Sequence, residues 1–133
     1  MSQENVEILR AMYARWAHGD FWTPEVFDPA VEVVWSPDLP DMGTYRGLAG
    51  LEQSLREWFA AWGDMRMTAD EFIEVEADRI LVLVSAHGHG HGSGIAVVGD
   101  DWAHDWTMRD GRATRLVGYA SRAEALKAVG LEE

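Results

Sequence analysis

A chain of 133 residues with 47% hydrophobic and 26% charged side chains has a globular composition and enough length to bury a core without staples. Its 23 acidic against 11 basic residues give a net charge of −12, with no Lys or Arg cluster, so its field opposes nucleic acid and anionic membranes. A neutral, apolar or cationic small molecule is compatible with that field, and the absence of cysteine excludes disulfides, thiolate metal sites and Cys nucleophiles.

The start, Met1-Ser2-Gln3-Glu4-Asn5, has neither the basic nor the apolar region of a signal peptide. Nor does the long uncharged run 80–99 make a membrane span, because His and Gly interrupt it. The expectation is a cytoplasmic protein with one domain over 1–133. Ser2 can cap a first helix reaching His18, since Val6, Leu9, Tyr13 and Trp16 recur at helical spacing, with Ile8 and Met12 widening the stripe. His18 falls in the last turn, where a cation suits the helix dipole. Thr23-Pro24-Glu25 opens a second, short helix that Asp28-Pro29 should end. A β-branched strand over 31–36 is closed by Pro37, and 38–43 forms a loop at the surface or over a pocket mouth. Residues 47–62 give a third helix whose apolar face holds Leu48, Leu51, Leu55, Trp58 or Phe59, and Trp62.

Beyond Gly63-Asp64 the period changes to two. Strands are predicted over 65–75, 79–91, 95–98 with 102–108, and 112–119. Asp110-Gly111 is the strongest hairpin signal, because both central residues of such a turn need positive φ. Ser121-Arg122-Ala123-Glu124 is a capping box opening a last helix that Gly130 closes. Helices segregated from a run of antiparallel strands indicate an α+β fold, with helices covering one face of a curved sheet.

Four segments carry a resemblance: Ala17-His18-Gly19-Asp20 after the first helix, Phe27-Asp28-Pro29-Ala30-Val31-Glu32 into the first strand, Tyr45-Arg46-Gly47, and Trp106-Thr107-Met108-Arg109-Asp110-Gly111-Arg112. In this order and spacing the chain resembles the nuclear transport factor 2-like superfamily, and within it the SnoaL-like bacterial members related to polyketide cyclases and ketosteroid isomerase. The resemblance implies a cone, a cystatin-like α+β barrel of bent sheet over helices, with a cavity between them. It also implies a homodimer through the outer sheet face. Independently, 80–84 is apolar at odd and even positions alike, so both faces of that strand should be buried. Either a partner subunit or the C-terminal helix folding back would cover the second face.

The superfamily spans isomerases, cyclases, dehydratases, hydrolases and binding modules, so chemistry has to come from pocket residues. Alternation puts His104, Trp106 and Met108 on one face of their strand and Asp105 on the other, so Asp105 cannot orient His104. A buried His104 would have its pKa lowered and could serve as base, acid or hydrogen-bond donor; a core histidine bonded to a backbone carbonyl is the other reading. Asp38 and Asp41 are distant candidates to orient it. Against the isomerase pattern of a base, a Tyr and a neutral acid, the resemblance sets His104 at the acid. It sets Met12, not Tyr13, at the tyrosine, and Trp35 or Ser36 at the base.

The expected pocket wall takes Met12, Tyr13 and Trp16 from the first helix, and Trp35 and Trp58 from the first strand and third helix. The hairpin adds Trp106, Met108, Leu116 and Gly118, while Trp22 and Trp102 are expected at the rim or an interface. In His87-Gly88-His89-Gly90-His91 all three imidazoles share one face, with the outer two roughly 13 Å apart in Cα, too far to converge on one ion unaided. They read as rim or solvent-facing histidines, and no metal or cofactor is expected. Two functions follow from the sequence. One is an apolar, aromatic small-molecule pocket, enzymatic as a cofactor-free isomerase, cyclase or lyase with His104 as acid-base. The other is a non-catalytic binding or dimerisation module whose core is filled by Trp.

Overall fold

The computed structural model describes residues 2–35, 43–90 and 96–131. Helix α1 (Ser2–Trp16) and a 3₁₀ turn (Pro24–Val26) precede strand β1 (Phe27–Trp35), the short β2 (Thr44–Arg46) and helix α2 (Gly47–Ala61). Four strands follow, β3 (Trp62–Glu76), β4 (Arg79–Gly90), β5 (Ala96–Arg109) and β6 (Arg112–Tyr119), and then helix α3 (Arg122–Ala128). The strands form one curved, unclosed sheet in the order β2-β1-β6-β5-β4-β3. Consecutive strands β3 to β6 are antiparallel, as expected from their hairpins, whereas β1 lies parallel to β6 and makes the sheet mixed. This is the α+β architecture expected.

The sheet's two faces have different covers. Along β4, Ile80, Val82, Val84 and Ala86 are buried in the main core with Leu9, Met12, Trp106 and Met108. α1 crosses β3 and β4 on this inner face and α2 crosses β1. On the outer face, Leu81 and Ala103 are fully buried against Ala125 of α3. The C-terminal helix therefore supplies the second cover at Leu81, and the both-sided burial of β4 calls for no partner subunit there. Ser121 caps α3 by accepting from Glu124 N–H at 3.3 Å. Arg122 ties the helix to the sheet through Asp70 at 2.7 Å and the Val84 carbonyl at 3.1 Å.

Two local expectations change. The helix opened by Pro24 is only a 3₁₀ turn, and Asp28-Pro29 falls inside β1. That stretch interrupts the β1–β6 register between Phe27 and Glu32, as a residue without an N–H must, and the Asp28 carboxylate accepts the Ala30 N–H at 2.8 Å. As expected, 96–98 with 102–108 form one strand region, β5, which carries a register shift opposite Val84 and Ala86. β2, three residues long, was missed. At the β5–β6 turn Asp110 and Gly111 have φ of 52° and 78°, as the hairpin signal requires.

Candidate functional site

The inner face of β5 sets the site. His104 stands opposite Val82 on β4 and Gly118 on β6, and it is 3% exposed. Gly118 also pairs with Trp35 of β1, and a Cβ there would lie 2.3 Å from the Trp35 ring. Only glycine lets that indole lie against the β6 backbone, which brings Trp35 within 5.9 Å of His104 between ring centroids. Trp16 of α1 approaches the same imidazole at 6.1 Å, edge to face. Alternation on β5, an amphipathic stripe on α1 and one glycine on β6 thus converge on a single histidine.

Behind His104 runs a short buried relay. Trp106 Nε1–H donates to the Tyr13 hydroxyl at 2.8 Å, and Tyr13 lies 2.7 Å from His104 Nδ1. An indole N–H can only donate, so the assignment that gives each buried proton an acceptor has Tyr13 donating to Nδ1. The proton of neutral His104 then sits on Nε2. Burial lowers the His104 pKa to about 3, so the imidazole is neutral at physiological pH. Burial likewise raises Tyr13 well above its ordinary value, against a smaller lowering by the Trp106 bond, and keeps it a phenol.

In front of His104 opens a cavity of about 430 Å³, within the usual range for small-molecule sites. Trp16, Trp35, Trp58 and Trp102 contribute to its wall, with Leu116 and Met67. Two of these indoles spend their N–H on the protein, Trp35 on Ser54 Oγ at 2.6 Å and Trp16 on Thr23 Oγ1 at 3.3 Å. They offer ring carbon to the cavity. One ionised side chain stands among the described lining residues, the exposed Glu57 of α2. Hydrogen bonds from Tyr45 Oη and then Gln53 lower its pKa, and the bond to Glu57 chiefly raises that of Tyr45.

A family model described as a SnoaL-like domain matches residues 9–116. The chain belongs to the SnoaL-like family. This SnoaL-like domain is similar to TerC, whose crystal structure was obtained with polyporic acid, at 29% identity and a TM-score of 0.73 over 96% of this chain and 98% of that one. An NTF2-like protein of unknown function from Burkholderia pseudomallei is 22% identical, TM-score 0.76, over 95% and 97% of the two chains. A protein of ketosteroid isomerase-like fold from Catenulispora acidiphila, crystallised with trimethylamine, is 18% identical, TM-score 0.71, over 94% and 93%. These last two show the fold alone. No curated protein matches the chain.

Of the expected wall, Trp16, Trp35, Trp58, His104, Leu116 and Gly118 meet at the cavity of this SnoaL-like domain. Met12 and Met108, each 1% exposed, belong to the core instead. Tyr13 and Trp106 stand one layer behind, as the relay. A hydroxyl therefore does reach His104, but from Tyr13, where the isomerase pattern had set Met12 at the tyrosine position. Trp102 lines the cavity rather than an outer rim, while Trp22 is 40% exposed. Asp105 faces outward, as alternation requires, and takes Arg79 in a two-pronged ion pair at 2.8 and 3.1 Å. Ser36, Asp38, Asp41 and His91 lie outside the described residues. His87 and His89 are exposed on the outer face, and among the described residues no three His, Cys, Asp or Glu side chains gather as for a metal. Ser54, Tyr45 and Glu57 were missed. Their signal was faint: polar residues at the edge of an otherwise apolar helix stripe, and a strand of three.

Proposed function

We propose that this SnoaL-like domain binds an aromatic or apolar small molecule in the cavity, with an oxygen of the ligand accepting from His104 Nε2–H. One observation carries the reading: a space of about 430 Å³ walled by indoles, with a neutral imidazole fixed in its wall by Tyr13. Such a ligand buries apolar area at roughly 25 cal/mol per Å² and orients on a single polar contact. TerC, crystallised with polyporic acid, supports a small organic ligand for a chain of this family.

As an enzyme it would be a cofactor-free isomerase, cyclase or lyase. His104 would then act as a neutral donor toward charge developing on the ligand oxygen, since a conjugate acid of pKa about 3 is a poor proton-transfer group at neutral pH. A second reading, binding without turnover, is favoured by one feature. The carboxylate among the described lining residues, Glu57, is exposed and has its pKa lowered, so it too is a weak base. A homodimer through the outer face, where Ile73, Val75 and Leu83 stay half-buried, accompanies either reading. Light scattering at the mass of one chain across a concentration series would remove it.

A thermal-shift screen of aromatic ketones and phenols tests the pocket, because a ligand preferring the folded state raises the melting temperature. At least one compound class should do so, and Gly118→Ala, which drives Trp35 off its seat, should lose that shift while keeping its circular dichroism. A screen in which no compound moves the midpoint, with no quenching of tryptophan fluorescence, would sink the reading. Turnover of a hit, compared between the natural chain and His104→Ala, separates enzyme from binder.

A further inference from the structure

The charge of the cavity carries a statement about what enters it. All 11 Lys and Arg residues of the chain fall among the described residues, and none lines the cavity. Several are committed to acidic partners elsewhere: Arg15 to Asp20 and Glu25, Arg46 and Arg115 to Glu32, Arg79 to Asp105, Arg122 to Asp70. The buried imidazole at the wall is neutral. A carboxylate or phosphate in this cavity would leave water and meet no cation, an uncompensated loss.

A cation meets the opposite. Glu57 lines the cavity and is itself exposed; its two carboxylate oxygens are held from the protein side, Oε1 by Tyr45 Oη and Oε2 by Gln53 Nε2 at 3.0 Å. Each oxygen keeps a free lone pair. Tyr45 and Trp58 also line the cavity, and aromatic rings of this kind attract ammonium groups. The net charge of −12 raises the local concentration of cations at any opening.

We infer that the cavity selects its ligand by charge, taking aromatic molecules that are neutral or carry an ammonium group placed at Glu57 and Tyr45, and refusing carboxylates and phosphates. This rests on the pocket reading above and adds the substrate class to it. The two can fail separately.

The test uses three probes with one aromatic body: 2-naphthylmethylamine, 2-naphthalenemethanol and 2-naphthoic acid, titrated calorimetrically into the full chain at pH 7.5. The ammonium should bind about fivefold tighter than the alcohol, the size of a partly exposed ion pair with a cation–π contact. The carboxylate should bind at least about tenfold weaker than the alcohol, the cost of an unpaired charge taken from water. Glu57→Gln should cut the ammonium's advantage over the alcohol to about twofold or less, and added salt should narrow the same gap. A carboxylate that binds as well as the alcohol overturns the inference, and so does an ammonium preference that survives Glu57→Gln at low salt. Equal binding of all three sinks charge selection and leaves the pocket standing. Binding of none sinks the pocket reading, and this inference with it.

Discussion

His104 and Asp105 are neighbours in sequence, each 3% exposed, and they solve the same problem in opposite ways. On the inner face the ionisable group is buried among Tyr13, Trp16, Trp35 and Trp106, with no charged partner in contact among the described residues, and it gives up its charge. On the outer face Asp105 is gripped by both prongs of Arg79, beside the patch that α3 covers. Desolvation neutralises a lone group and is offset for a paired one. The difference makes one face a candidate binding wall and the other a structural joint.

The joint should be the costlier to break. Arg79→Met removes the partner and leaves Asp105 buried without one. Losses of this kind run to several kcal/mol, and since Arg79 is 31% exposed and water can reach the vacated space, about 3 kcal/mol is expected from urea unfolding. A loss under about 0.5 kcal/mol, typical of a surface pair, would show that Asp105 is better solvated than its 3% exposure implies.

On the inner face the signature is a pH dependence. Unfolded, His104 takes its proton near pH 6.5; folded, only near pH 3. Between those values the unfolded chain binds more protons, so stability is full above about pH 6.5 and falls as pH drops, by up to about 1.4 kcal/mol per unit for this group. From pH 6.5 to 5 the natural chain should therefore lose about 1.6 kcal/mol more than His104→Gln, whose side chain cannot titrate. Parallel stability profiles for the two would mean that His104 is charged and paired in the folded state.

Tyr13→Phe should cost less, about 1.5 kcal/mol, because it strands the Trp106 N–H at zero exposure and frees Nδ1 of His104 without opening a large void. Its binding effect is the sharper readout. With the tautomer no longer fixed, ligands that accept from Nε2–H should weaken, while purely apolar ligands keep their affinity. Equal weakening of both kinds would mean that Tyr13 holds the cavity's shape and does not set the imidazole's proton.

Much of this was legible in the sequence. The period-two run from residue 65 onward, the Asp110-Gly111 turn and the α1 stripe specify the strands, the hairpin and the face of the helix, because each is a local pattern with a single physical cause. The resemblance supplied the rest of the architecture. The separation of His104 from Asp105 likewise follows from alternation alone. What could not be read was how deep each inward side chain sits. Met12, Tyr13, Trp16 and Met108 all belong to inward stripes, yet Trp16 reaches the cavity, while Met12 and Met108 stop in the core. Depth depends on where α1 crosses the sheet, a property of packing between distant elements. Tyr45 and Glu57 were hidden for the same reason: they meet only because β2 runs straight into α2, which lets Tyr45 Oη reach Glu57 farther along that helix.

The smallest expected effect lies on the outer face, at α3. Ser121 accepts from Glu124 N–H, so Ser121→Ala removes one cap from a helix of seven residues, worth about 1 kcal/mol. A helix this short has little stability of its own and depends on its cap, on Arg122 and on burying Ala125 over Leu81 and Ala103. The loss should therefore be local as well as global. Hydrogen exchange at the Ala125 and Val129 amides, which bond to Ser121 O and Ala125 O, should quicken ahead of the amides of β5. The His104 relay, on the far side of the sheet, should keep its protection and its ligand affinity. Matching changes at both places would mean that the two faces unfold as one unit, and the division between joint and binding wall would then be one of chemistry without independence.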